Sequence, residues 1–213
     1  MDSKTEIFLH RPAKPGPHGF ILTHGAGGNA NAPLLIALAN ALSDAGFTAV
    51  RYNLPYRQQR PFGPPRPANA EQDRQGLRNE VEGMRQQVNG RVFLGGHSYG
   101  GRQSSMLCAE QPGLVDGLLL LSYPLHPPGK PEQLRTKHLP DLTTPTLFVH
   151  GTIDPFGSVE ELESARKLIP AGTKLLVVEK AGHDLGFKGK SKKEELPAAI
   201  LEAFQELINR DTD

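Results

Sequence analysis

Four consecutive leucines, Leu118 to Leu121, lie between Gly117 and Ser122. Successive side chains of a strand point to opposite faces, so both faces of this segment are apolar and both need covering. That excludes a sheet with one wet face here and calls for a parallel sheet between two helical layers. Residues 20–23, 92–94, 146–150 and 174–178 read the same way, as short apolar strands, and 48–53 and 6–9 complete the set. The intervening segments carry apolar residues at helical spacing: Leu34, Leu35, Leu38 and Leu42 over 32–45; Leu77, Val81, Met84 and Val88 over 71–88; Leu196, Ile200, Phe204 and Ile208 over 194–209. Shorter helices are predicted over 103–110 and 159–168. Strands alternating with helices predict an α/β fold of three layers, a mostly parallel sheet of six to seven strands with helices on both faces. The stretch 55–67 holds Pro55, Pro61, Pro64, Pro65 and Pro67 and is expected to be a loop.

The chain has 213 residues, enough for one sizeable core, so 1–213 is read as a single domain. Its formal net charge of +1 gives no electrostatic case for nucleic acid as a partner. No apolar run approaches the roughly 18 residues of a membrane span, and residues 1–6 lack the apolar core of a secretion signal. The lone Cys108 excludes an internal disulfide and suits a reducing compartment, so a cytoplasmic location is expected. On its helix, Cys108 reads as a packing residue. No Cys/His cluster has metal-ligand spacing, and no cofactor is expected.

The apolar run 92–94 leads, through two glycines, into Gly-His-Ser-Tyr-Gly at 96–100 and then into a helix. Gly-x-Ser-x-Gly alone is a weak signal in a chain with 23 glycines, so the strand, turn and helix around it carry the reading. In that context Ser98 stands at a tight turn above the sheet, with a helix N-terminus favouring negative charge beside it. A serine nucleophile needs a base within hydrogen-bond reach and an acid to orient the base. In a parallel sheet these belong at the carboxyl ends of strands. Asp116 and Asp141 precede their strands, whereas Asp154 follows the strand at 146–150. Of the histidines, only His183 follows the last strand. Ser98, Asp154 and His183 are therefore the candidate catalytic residues. For the oxyanion, the backbone N–H of Tyr99 is one donor, and the Gly-rich loop at 24–29 supplies the second, with Ala26 favoured. His24 is expected to brace that loop.

The motifs His-Gly at 24–25, Gly-His-Ser-Tyr-Gly at 96–100, Gly-Thr-Ile-Asp-Pro-Phe-Gly at 151–157 and Gly-His at 182–183 resemble the α/β-hydrolase superfamily over nearly the whole chain. The resemblance implies Ser98 as nucleophile, Asp154 as acid and His183 as base. The stretches 23–28, 51–56 and 123–130 are similar to a branch of small hydrolases related to testis-expressed protein 30 and to a histone-acetyltransferase-complex subunit. They are more loosely similar to dienelactone hydrolases, in which the nucleophile is a cysteine where this chain has serine.

Many relatives insert a helical lid after the sixth strand. Here residues 123–145 leave room for a loop and one short helix, so no lid domain and an open site are expected. That favours small or short-chain acyl groups. Tyr123, His126 and Phe156 are candidate walls, with the loop at 55–67 and Tyr99. Arg57, together with Arg60, Arg66 and Arg102, is a candidate for receiving a substrate carboxylate. His97 and His150 are expected to pack. The expected function is a serine hydrolase cleaving small-molecule carboxylic esters through an acyl-enzyme. The alternatives are acyl transfer, thioester or peptide cleavage by the same triad, or a silent protein-binding scaffold. Oligomeric state is left open.

Overall fold

Leu118 and Leu120 belong to one buried apolar cluster and Leu119 and Leu121 to another, so the four-leucine run is covered on both faces. The computed structural model describes residues 7–187 and 194–209. Its elements are β1 (Ile7–His10), β2 (Gly19–Thr23), α1 (Pro33–Asp44), β3 (Thr48–Tyr52), α2 (Pro55–Gln59), α3 (Ala70–Arg85), β4 (Val92–His97), α4 (Tyr99–Glu110), β5 (Leu118–Leu121), β6 (Thr146–Gly151), α5 (Val159–Arg166), β7 (Thr173–Val178) and α6 (Leu196–Asn209). Short 3-10 turns lie at Pro67–Asn69 and Leu139–Asp141.

The sheet has seven strands in the order β1-β3-β2-β4-β5-β6-β7. Only β1 is antiparallel, pairing with β3. From β2 the chain moves outward to β3, and from β4 it moves the other way through β5, β6 and β7. The order therefore reverses between β2 and β4, the place where open α/β sheets bind ligands. Helices α1 and α6 cover one face, where Leu35, Leu38, Ile200 and Phe204 meet Phe20, Phe93 and Leu121. Phe204 lies 5.2 Å from Phe20 and 5.3 Å from Phe93, ring centre to ring centre. Burying one such side chain stabilises by roughly 1.5–3 kcal/mol. Helices α3, α4 and α5 cover the other face through Leu77, Val81, Leu107, Cys108 and Leu162. Burial pushes the Cys108 thiol up to about 12, against a weaker opposing influence of Thr144.

Three expectations are corrected. The Pro-rich stretch is not loop throughout, because Pro55 starts α2 at a first-turn position, where a missing N–H costs nothing. Helix α4 starts at Tyr99 rather than 103, through glycines that the close approach of neighbouring backbone requires. Strand β4 continues through Gly95 and Gly96 to His97, with Gly96 lying against the Gly100–Gly101 backbone. The connection over 122–145 holds one 3-10 turn and no inserted helical layer. Residues 1–6, including Glu6 of the first predicted strand, lie outside the described residues.

Candidate active site

Ser98 alone makes the turn between β4 and α4, with φ 51° and ψ −116°. A non-glycine residue in that region stores backbone strain that its surroundings must hold. Two hydrogen bonds do so: Ser98 N–H donates to Leu121 O at 2.8 Å, and Arg102 N–H donates to Ser98 O at 2.9 Å. The flanking glycines are required by space. A Cβ on Gly96 would sit 2.5 Å from Gly101 N, and one on Gly100 would sit 2.5 Å from His24 O.

Asp154 follows β6 and His183 follows β7, and the two loops meet. A Cβ on Gly151 would sit 2.2 Å from Ala181 O. His183 Nε2 lies 2.7 Å from Ser98 Oγ, and His183 Nδ1 lies 2.8 Å from Asp154 Oδ2 and 3.1 Å from Oδ1. Asp154 Oδ1 also accepts from Phe156 N–H at 2.9 Å. Burial opposes the charge of Asp154, but the hydrogen bond and charge of His183, with Phe156 N–H and His150, outweigh it. The carboxyl is held below the usual carboxylate range. The Phe156 ring lies 4.2 Å from that of His183.

His97 has a part that sequence reasoning missed. Its Nε2 donates to His183 O at 2.7 Å, which fastens the loop carrying His183 beside the serine. Its position next to Ser98 was the only available signal. His150 is fully buried and donates through Nε2 to Gly157 O at 2.8 Å, which ties the end of β6 to the loop holding Asp154.

A cavity of about 350 Å³ opens beside Ser98. The loop 24–28 and the start of α1 form one side, with Ala32, Pro33, Leu34 and Leu35, and Phe156, His183 and Phe187 lie on its wall as well. The N–H groups of Ala26 and Tyr99 have no hydrogen-bond acceptor among the described residues. Of the predicted walls and substrate-contacting residues, among them Tyr123, His126, Phe156 and Arg57, only Phe156 lines this cavity. Tyr123 is fully buried and donates to Arg135 O at 2.6 Å. His126 faces Pro127 O at 2.8 Å and Glu161 at 3.3 Å.

Arg57 departs furthest from expectation. It is 6% exposed. Its guanidinium donates to Gly28 O at 2.8 Å, Gly63 O at 2.9 Å, and Ala26 O and Arg60 O at 3.1 Å. Four backbone carbonyls occupy the fork that a carboxylate would need. The apolar wall from α1 was missed because Leu34 and Leu35 read only as core positions. Among the described residues, no group of three His, Cys, Asp or Glu side chains is placed to hold a metal ion.

Residues 17–209 match the model of the alpha/beta hydrolase domain. The chain belongs to the alpha/beta hydrolase family. The family fold recurs in solved structures of low sequence identity. A dienelactone hydrolase from Anabaena variabilis is 20% identical, with a TM-score of 0.72 over 94% of this chain and 91% of that one. An α/β serine hydrolase without lid from Xanthomonas campestris is 19% identical, with a TM-score of 0.74 over 94% and 88%. The ferulic acid complex of Est1E from Butyrivibrio proteoclasticus is 18% identical, with a TM-score of 0.72 over 96% and 95%.

Proposed function

We propose that this member of the family is a serine hydrolase that cleaves carboxylic esters through an acyl-enzyme. The observation that carries the reading is the unbroken line from Asp154 through His183 to Ser98, with contacts of 2.8 Å and 2.7 Å. His183 Nε2 takes the Ser98 proton as Oγ bonds to the acyl carbon, and the carbonyl electron pair moves onto oxygen between the Ala26 and Tyr99 N–H groups. Collapse expels the alcohol, protonated by His183. Water, activated by the same imidazole, then releases the acid. Asp154 holds the ring with Nδ1 protonated and stabilises its charged form.

The cavity supports a small or short-chain, uncharged acyl group. Its volume lies near the lower end of roughly 300–1,000 Å³ for ligand sites. Ala32, Pro33, Leu34, Leu35 and Phe187 offer such a group apolar surface, and Arg57 is not on the wall. A single cysteine, with no partner for an internal disulfide, supports a reducing, cytoplasmic setting. A silent scaffold would have no physical need for an aligned acid, base and hydroxyl.

The test is labelling with a fluorophosphonate probe alongside a p-nitrophenyl ester series. Wild type is expected to label and to prefer acyl chains of about eight carbons or fewer, and Ser98→Ala is expected to do neither. Folded wild type that stays unlabelled sinks the nucleophile reading. A preference for decanoyl over butanoyl sinks the short-chain reading.

A further inference from the structure

The Gly25–Ala26 peptide is gripped on its carbonyl side. Gly25 O lies 2.9 Å from His24 Nδ1 and 3.2 Å from the Tyr56 hydroxyl. The other nitrogen of His24 decides its tautomer. Nε2 faces the backbone N–H of Leu54 at 3.2 Å, so Nε2 accepts and the proton sits on Nδ1, which donates to Gly25 O. Burial keeps this imidazole neutral. In a trans peptide the C=O and N–H point in opposite directions. Holding Gly25 O from within the protein therefore turns Ala26 N–H the other way, and Ala26 lies on the cavity wall with Ser98. Hydrogen bonds into a carbonyl also polarise the N–H of the same peptide.

The same tyrosine connects to the second donor. Tyr56 N–H donates to Asp73 Oδ1 at 3.0 Å, and the Tyr99 hydroxyl donates to Asp73 Oδ2 at 2.8 Å. Asp73 is fully buried. The Tyr56 and Tyr99 rings meet edge to face, 5.8 Å apart at 88°. One carboxylate thus joins the residue that grips the Gly25–Ala26 peptide to the residue whose own N–H faces the turn. The Tyr56 hydroxyl also reaches Ala26 O at 2.8 Å, beside Arg57.

We propose that His24, Tyr56 and Asp73 are positioning residues of the hydrolase, forming one buried frame that aims the Ala26 and Tyr99 N–H groups at the oxyanion. They act through those two peptides and exchange no proton with substrate. The proposal rests on Ser98 being the nucleophile. His24 and Tyr56 fall within stretches that the sequence already singled out, at 24–25 and 51–56, but Asp73 carries no motif and lies on α3, an element that contributes no reacting group.

Tyr56→Phe removes one oxygen and leaves the ring contact in place. With p-nitrophenyl butanoate its kcat is expected to fall about tenfold or more, with KM within about twofold. Affinity for a trifluoromethyl ketone, which forms a tetrahedral adduct on serine, should fall by the same factor as kcat/KM. Tyr99→Phe cuts the frame at its other end and is expected to show the same split. A merely structural role would leave the adduct affinity tracking neither variant. Ser98→Ala in the same assays separates the two readings. Wild-type turnover in Ser98→Ala overturns the nucleophile assignment and this proposal with it. A dead Ser98→Ala beside unchanged kcat in Tyr56→Phe and Tyr99→Phe overturns the frame alone.

Discussion

His24 and His183 both stand just past the carboxyl end of a strand, and both line the cavity beside Ser98. Their surroundings give them opposite characters. His24 is fully buried, with one nitrogen against Leu54 N–H and the other against Gly25 O. Burial, opposed by the Gly25 hydrogen bond and helped by the charges of Arg57 and His97, pushes its pKa down to about 4. His183 has a side chain 23% exposed and lies between a buried carboxylate and a hydroxyl. A charge formed on His183 meets Asp154 at once. A charge formed on His24 would lose the Leu54 bond and face Arg57. The same side chain is thus held as a brace in one loop and set between an acid and a hydroxyl in the other, where the proposed mechanism has it carry a proton, and its partners decide which.

The largest test of this contrast is His183→Ala. Turnover of p-nitrophenyl butanoate is expected to fall by about 10⁴-fold or more, with little change in unfolding midpoint, because a functional base contributes to rate rather than to packing. An equal loss of stability would erase the distinction between the two histidines.

The next test is pH. The folded value of His24 lies below its ordinary 6.5, at about 4. The folded protein therefore binds fewer protons than the unfolded chain in this window. Stability should fall as pH drops from about 6.5 to about 4 and level off below, by about 3 kcal/mol for this group. His138, also pushed to about 4 by burial and by the charge of Arg102, adds to the same slope. Asp154 works in a different window. Its folded value lies below 3.8, so its stabilisation is present above that pH and is lost as pH falls through the folded value. Urea unfolding from pH 7 to 4 should show a gentler slope in His24→Asn than in wild type. An unchanged slope would mean that His24 takes up its proton as readily in the fold as in the unfolded chain.

A smaller effect is expected where the two loops share the elbow. Gly100→Ala places a methyl group against His24 O and Thr23 Cγ2. Overpacking of this kind costs about 1–3 kcal/mol. It should also lower kcat, because the displaced backbone leads directly to Ala26. A stable Gly100→Ala with full activity would show that the 24–28 loop can move without consequence.

Much of this protein was legible in the residue order. Four leucines in a row demand cover on both faces, and with similar strands alternating with helical segments, that requirement selects a parallel sheet between helices. Gly-His-Ser-Tyr-Gly, Asp154 and His183 were legible because strand ends are readable and a parallel sheet puts its carboxyl ends on one edge. Proline and glycine misled where their special geometry was compatible with regular structure: Pro55 opens a helix, and Gly96, Gly100 and Gly101 lie inside a strand and a helix because neighbouring backbone passes too close for a Cβ. Tertiary structure decided what no local pattern records. Arg57 looked like a surface cation in a Pro-rich loop, yet folding surrounds it with four carbonyls from segments before and after it in the chain. Asp73 drew no reading from the sequence, yet it is sealed between Tyr56 and Tyr99. Periodicity and motif spacing report which face a residue presents, but hydrogen-bond partners distant in sequence exist only once the loops have packed.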